Sequence, residues 1–229
     1  MLEGQDTRHR GGLDHPCPVT LLLFPGCDLL DVGGPYEVLL TANRILVGGG
    51  RDEAFEVRTA SLDGAAVDAY GGLRLTPDGP FEPGPGVLLI PGAIDVPDTD
   101  EPLLRAIRAG AEHADLVASV CTGSLLLAAA DVLDGVSATT HHQDVPSLAE
   151  FIGRDLVVSG RRWVDAGAVV TAGGLASGIA MALHLVARLV SLDLAHEVAR
   201  RIEFPWSPED GDTVLPSGDA AVGSATEAG

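Results

Sequence analysis

At 229 residues the chain is long enough for one sizeable domain with its own core, and its apolar runs are broken by Gly, Pro or charge well before the about 20 residues that a membrane-spanning helix needs. The net charge of −19, from 33 acidic against 14 basic residues with no lysine among them, disfavours a nucleic-acid partner, because phosphate binding needs a basic face. Three cysteines, Cys17, Cys27 and Cys121, lack metal-ligand spacing and are odd in number, so neither a disulfide framework nor a metal site is expected.

Residues 1–16 are polar, without the apolar core of a secretory signal, which predicts a disordered N-terminal tail and a cytoplasmic protein. Val19 to Phe24 is a short apolar run stopped by Pro25-Gly26, as expected for a strand buried on both faces. Pro35 then reads as the first residue of a helix that runs to about Leu46. Phe55 to Ser61 reads as a second strand. Val67 to Tyr70 and Leu73 to Thr76 read as a hairpin across Gly71-Gly72, and Val87 to Ile90 as a buried strand closed by Pro91-Gly92. Leu103, Leu104, Ile107 and Ala111 fall at helical spacing between Glu101 and His113, and Leu116 to Val120 returns as a strand. Ser124 to Leu133 is predicted helical, ending at Gly135.

Beyond this point the pattern is less regular. It predicts a strand near Val136 to Thr140, a helix from Val145 to Ile152, a hairpin-like pair near Leu156 to Val158 and Trp163 to Val164, and a strand from Ala168 to Thr171. Two helices follow, Ser177 to Val190 and Asp193 to about Glu203. Residues 207–229 are rich in Gly, Ala, Ser, Asp and Pro and read as a low-complexity tail, leaving 17–206 as the domain. Strands alternating with helices predict an α/β fold with a mostly parallel sheet covered on both faces and active groups at the carboxyl ends of its strands.

Cys121 follows a buried strand and precedes Thr122-Gly123-Ser124 and a helix, the sequence of a strand-to-helix elbow. Such a turn pushes the side chain outward, and a helix N-terminus behind it favours thiolate. Cys17 and Cys27 lack this context. Asp31 stands three residues before the expected cap position Gly34, too early for an ordinary cap. Its carboxyl is therefore free for other work, and its apolar neighbours should make it hold a proton tightly. Small residues at Gly92 and Ala93 end a strand where backbone N–H groups can face a developing negative charge, although Pro-Gly is more often a plain turn signal. Gly173-Gly174 carries the same ambiguity, and neither run has nucleotide-binding spacing. His141-His142 reads as a structural pair or, alternatively, as a source of general-base catalysis. His184 and Arg188, one turn apart, read as the polar stripe of an apolar helix. The acidic surface suits a salt-rich cytosol, and a GC-rich genome would produce the same composition.

The segments Leu21-Leu22-Leu23-Phe24-Pro25, Leu30-Asp31-Val32-Gly33-Gly34-Pro35, Ser119-Val120-Cys121-Thr122-Gly123-Ser124, Ala138-Thr139-Thr140-His141 and Gly173-Gly174-Leu175-Ala176-Ser177-Gly178-Ile179 resemble, in order and spacing, the motifs of the ThiJ/PfpI superfamily, specifically its isonitrile hydratase branch. The resemblance runs from about Val19 to Trp206 and implies a flavodoxin-like three-layer sandwich related to class I glutamine amidotransferases, forming a homodimer and acting on a small molecule. By that pattern Cys121 is the nucleophile, Asp31 the acid and Thr122 a holder of substrate or water, with Gly92, Ala93, Gly123, His141 and Gly174 lining the substrate site. Gly33-Gly34 stands where hydratases often carry Thr-Gly, and Ala93 where many relatives have a second glycine. The implied reaction is hydration of an isonitrile to an N-substituted formamide by a Cys121 thiolate, with no metal or organic cofactor. Alternatives on the same fold are an amidase, peptidase or glyoxalase-like activity, which would need His141 or His142 at the sulfur, and a thiol-based sensor or binding protein.

Overall fold

The structure is a computed structural model that describes residues 16–98 and 100–214. The segment 1–15 and most of the expected C-terminal tail lie outside the described residues. The described residues form ten strands and six helices. They are β1 (Cys17–Leu23), α1 (Leu29–Gly48), β2 (Phe55–Ser61), β3 (Val67–Asp68), β4 (Arg74–Leu75), β5 (Gly79–Pro80), β6 (Val87–Ile90), α2 (Glu101–His113), β7 (Leu116–Ser119), α3 (Gly123–Ala129), α4 (Val145–Ile152), β8 (Trp163–Asp165), β9 (Val169–Ala172), α5 (Ser177–Leu189), α6 (Leu192–Arg201) and β10 (Asp212–Thr213).

One eight-stranded sheet runs in the order β10-β8-β9-β7-β6-β1-β2-β5, parallel except where β8 meets β9. The inner strands β6, β7 and β9 are buried along their whole length, as expected for parallel strands covered on both faces. Helices α1, α5 and α6 pack together on one side, and α2, α3 and α4 on the other. This is the mostly parallel, doubly covered α/β sheet that the alternation predicts and the flavodoxin-like three-layer sandwich that the resemblance implies. The small hairpin β3–β4 stands apart from the main sheet.

The connection from β1 leads through α1 to β2, whereas the connection from β6 leads through α2 to β7, on the opposite side of β1. Strand order therefore reverses between β1 and β6, which opens a crevice at their carboxyl ends. Asp31 follows β1, Gly92 and Ala93 follow β6, and Cys121 follows β7. Chain topology alone brings these three segments together.

Several boundaries differ from the sequence expectation. Helix α1 begins at Leu29 rather than Pro35, so Pro35 is an interior residue and Asp31 lies in the first turn. Pro35 has no N–H to give to the carbonyl of Asp31, its partner four residues back. The strand expected near Val136 to Thr140 is a single bridge between Ala138 and Val157. Leu156 belongs to a 3-10 turn instead of pairing with Trp163, whose strand β8 pairs with β9. The ordered chain also continues past Trp206. A 3-10 turn at Pro208–Asp210 leads into β10, which adds to β8 at the sheet edge. Gly211 permits that docking, since a Cβ there would collide with the Trp163 ring.

Candidate active site

Cys121 sits at a tight elbow between β7 and α3 with φ 56°, one of four non-glycine residues in the left-handed region among the described residues. Such backbone persists only where its surroundings hold it. Here the Cys121 N–H donates to the carbonyl of Gly173 at 3.0 Å, and the Cys121 carbonyl accepts from Ser124 Oγ and Thr140 Oγ1, each at 3.1 Å. Gly123 allows the turn because a Cβ there would strike the carbonyl oxygens of Ile90 and Pro91. The thiol is half-buried, and the backbone N–H groups of Thr122 and Leu175 face its sulfur.

Asp31 is fully buried. Its Oδ2 accepts from the Gly92 N–H at 3.0 Å, while its Oδ1 has no hydrogen-bond partner among the described residues. Burial raises its pKa to about 7, opposed by the Gly92 N–H and aided by the nearby Asp28 carboxylate. Burial, and then the Asp31 charge, push the Cys121 thiol up to about 11. Both influences oppose the thiolate expected at the elbow. Helix α3 has only seven residues, and its N–H groups do not overcome desolvation and a neighbouring acid.

Gly92 is the point where the acid and the elbow converge. A Cβ on it would lie 2.7 Å from Thr122 Oγ1 and 2.9 Å from Asp31 Oδ2. The Thr122 hydroxyl donates to the Ala93 carbonyl at 2.7 Å and accepts from the Ala93 N–H at 2.9 Å. Both N–H groups expected to face developing negative charge are therefore already engaged, Gly92 with the acid and Ala93 with Thr122. The N–H groups facing the sulfur come instead from Thr122 and Leu175. Leu175 escaped sequence reasoning because it contributes only backbone; the Gly173-Gly174 pair before it was the available signal.

His141 Nδ1 lies 3.2 Å from Asp144 Oδ2, and its ring packs so closely on Gly174 that a Cβ at 174 would overlap it. Among the described residues neither His141 nor His142 hydrogen-bonds the Cys121 sulfur. His184 and Arg188 form more than a polar stripe. They clasp the buried Asp165 at 2.7 and 2.9 Å, and Trp163 stacks on the His184 ring. Among the described residues no group of three His, Cys, Asp or Glu side chains is arranged to hold a metal ion.

The sequence pattern of the DJ-1/PfpI family matches residues 18–188. The isonitrile hydratase of Pseudomonas putida is 36% identical over 83% of this chain and 79% of its own length. The HTH-type transcriptional regulator GbdR of Pseudomonas aeruginosa is 29% identical over 76% of this chain, which spans 47% of the regulator. A ThiJ/PfpI family protein from Pseudomonas syringae superposes with a TM-score of 0.74 at 24% identity, covering 91% of this chain and 84% of that one, a likeness of fold.

Proposed function

This chain belongs to the DJ-1/PfpI family, and from that membership we propose that it is a cysteine-dependent hydratase converting an organic isonitrile to an N-substituted formamide, as a homodimer in the cytoplasm. The observation that carries the reading is the Cys121 elbow set beside a buried carboxyl whose Oδ1 is unpartnered. An orphaned buried carboxyl oxygen is costly, and its cost is relieved when the group holds a proton that a substrate can accept.

Asp31, raised to about 7, donates that proton to the terminal carbon of the isonitrile, which makes the carbon electrophilic. The Cys121 sulfur bonds to this carbon while its own proton returns to Asp31, giving a thioimidate. Water then adds to the same carbon, one of its protons reaches nitrogen by way of Asp31, and the carbon–sulfur bond breaks. The formamide leaves and the thiol recovers its proton. Attack by a protonated sulfur coupled to Asp31 fits a thiol held at about 11, which a free-standing thiolate would not. Thr122 acts by fixing Ala93 and hence the Gly92 N–H that holds the acid.

The regulator relatives favour a second reading, a ligand-binding module without turnover. An oxidation sensor is disfavoured because thiolate is the oxidisable species and this thiol is pushed up. The test is formamide production from cyclohexyl and aryl isonitriles. Cys121→Ala and Asp31→Asn are expected to lose turnover while remaining folded, and native kcat/KM to fall as pH rises through about 7. Unchanged turnover in Cys121→Ala sinks the covalent route, and a lack of catalysis with stoichiometric binding favours the module.

A further inference from the structure

A pocket of about 540 Å³ lies behind the loop that carries the contacts to the sulfur. Its wall includes His141, His142, Arg161, Val145, Leu175 and Ser177. Leu175 joins it to the reacting atom, since its backbone N–H faces the Cys121 sulfur while the residue lines the pocket. Thr140 and Gly173 are shared in the same way, the first donating to the Cys121 carbonyl and the second accepting from the Cys121 N–H. Cys121 is not itself part of the lining, so Leu175 is the shared wall over which a small molecule held at the sulfur would extend into this space, whose volume lies within the about 300–1,000 Å³ usual for small-ligand sites.

The charge of the pocket is opposite to that of the molecule. Within a chain of net charge −19, its lining holds an arginine and two imidazoles and no carboxylate, while Asp144 stands outside the lining at 3.2 Å from His141 Nδ1. Arg161 has no carboxylate within ion-pair distance among the described residues; its one protein acceptor is the backbone carbonyl of Glu209, at 3.4 Å. The thirteen-residue helix α5 starts in the same wall; its Ser177 and Gly178 N–H groups already donate to the carbonyls of Gly174 and Leu175, so its positive end adds only to the field. Val145 and Leu175 supply apolar contact between the cationic end and the thiol.

We propose that this pocket is the subsite for a carboxylate carried by the substrate, so that the preferred substrates are isonitriles bearing a carboxylate a few bonds from the isocyanide carbon. Arg161 binds the carboxylate as a bidentate donor, with His141, His142 and Ser177 as further polar contacts. The identity of the reacting group rests on the hydratase reading; the carboxylate subsite does not.

The experiment compares short-chain ω-isocyano carboxylates with their methyl esters as substrates, and the corresponding formamido acids and esters as ligands in equilibrium titration. Native protein is expected to favour acid over ester by about tenfold or more, the scale of a charge-assisted hydrogen bond. Arg161→Ala should bring that ratio close to one, with Arg161→Lys keeping part of it. The ester serves as an internal reference for folded protein. A native ratio near one, or the same ratio in Arg161→Ala, overturns the subsite. If no isonitrile is turned over while the formamido acid still shows an Arg161-dependent preference, the hydratase reading fails and the subsite stands.

Discussion

At Asp31 a stability cost and a proposed chemical role rest on the same atom. The folded protein holds this carboxyl at about 7, against an ordinary value of 3.8. Between these two pH values the native state keeps a proton that the unfolded chain releases, so stability falls as pH rises through the window and levels off above it. Asp31→Asn preserves an acceptor for the Gly92 N–H and removes the ionisable group. We expect the variant to melt higher than the native protein at pH 8, by up to a few kcal/mol on the linkage scale of about 1.4 kcal/mol per pH unit, with the gain shrinking toward pH 4. Thermal melts at the two pH values check this, and an equal gain at both would mean that packing is responsible. The same substitution removes the second-largest influence raising the Cys121 thiol. Loss of turnover together with higher stability would identify Asp31 as a group retained for chemistry at the expense of the fold.

At the scale of elements, the Asp165 clasp ties β8 to α5 through His184 and Arg188. Asp165→Ala leaves Arg188, His184 and the Gly167 N–H without their shared acceptor, which should cost about 3 kcal/mol. Denaturant unfolding measures the loss, and a change below about 1 kcal/mol would mean that water replaces the carboxylate there. The alternation of strands and helices up to β7 was legible because each inner strand is a short apolar run between turn residues. The elbow was legible for the same reason, Cys121 falling where such a run stops. What escaped reading depends on partners distant in sequence. Strand β10 exists because Gly211 lets a polar segment lie against Trp163, and composition alone makes that segment a tail. The start of α1 was misplaced because Pro35 looks like a first helical residue, whereas Asp28 precedes the actual first turn. The donors facing the sulfur, the Thr122 and Leu175 N–H groups, leave little trace in sequence, because backbone N–H groups belong to every residue but proline and only the Gly173-Gly174 pair marks the place.

For the whole molecule, a net charge of −19 makes the compact state self-repulsive at low ionic strength. Raising salt from about 0.1 M to about 1 M shortens the Debye length from about 10 Å to about 3 Å, and Tm should climb across that range. A flat or falling Tm would show that the acidic groups are too well spread to oppose folding. The sheet order carries a last consequence. Its outermost members are β5 and β10, two residues apiece. Pro80 in β5 lacks the amide hydrogen that an incoming strand would need, and Asp212 sets a formal charge on the opposite border. Both margins of the described sheet are poor templates for a foreign strand, so cross-β growth is expected to wait for the domain to open, and crowding of the native protein by itself should not seed fibres.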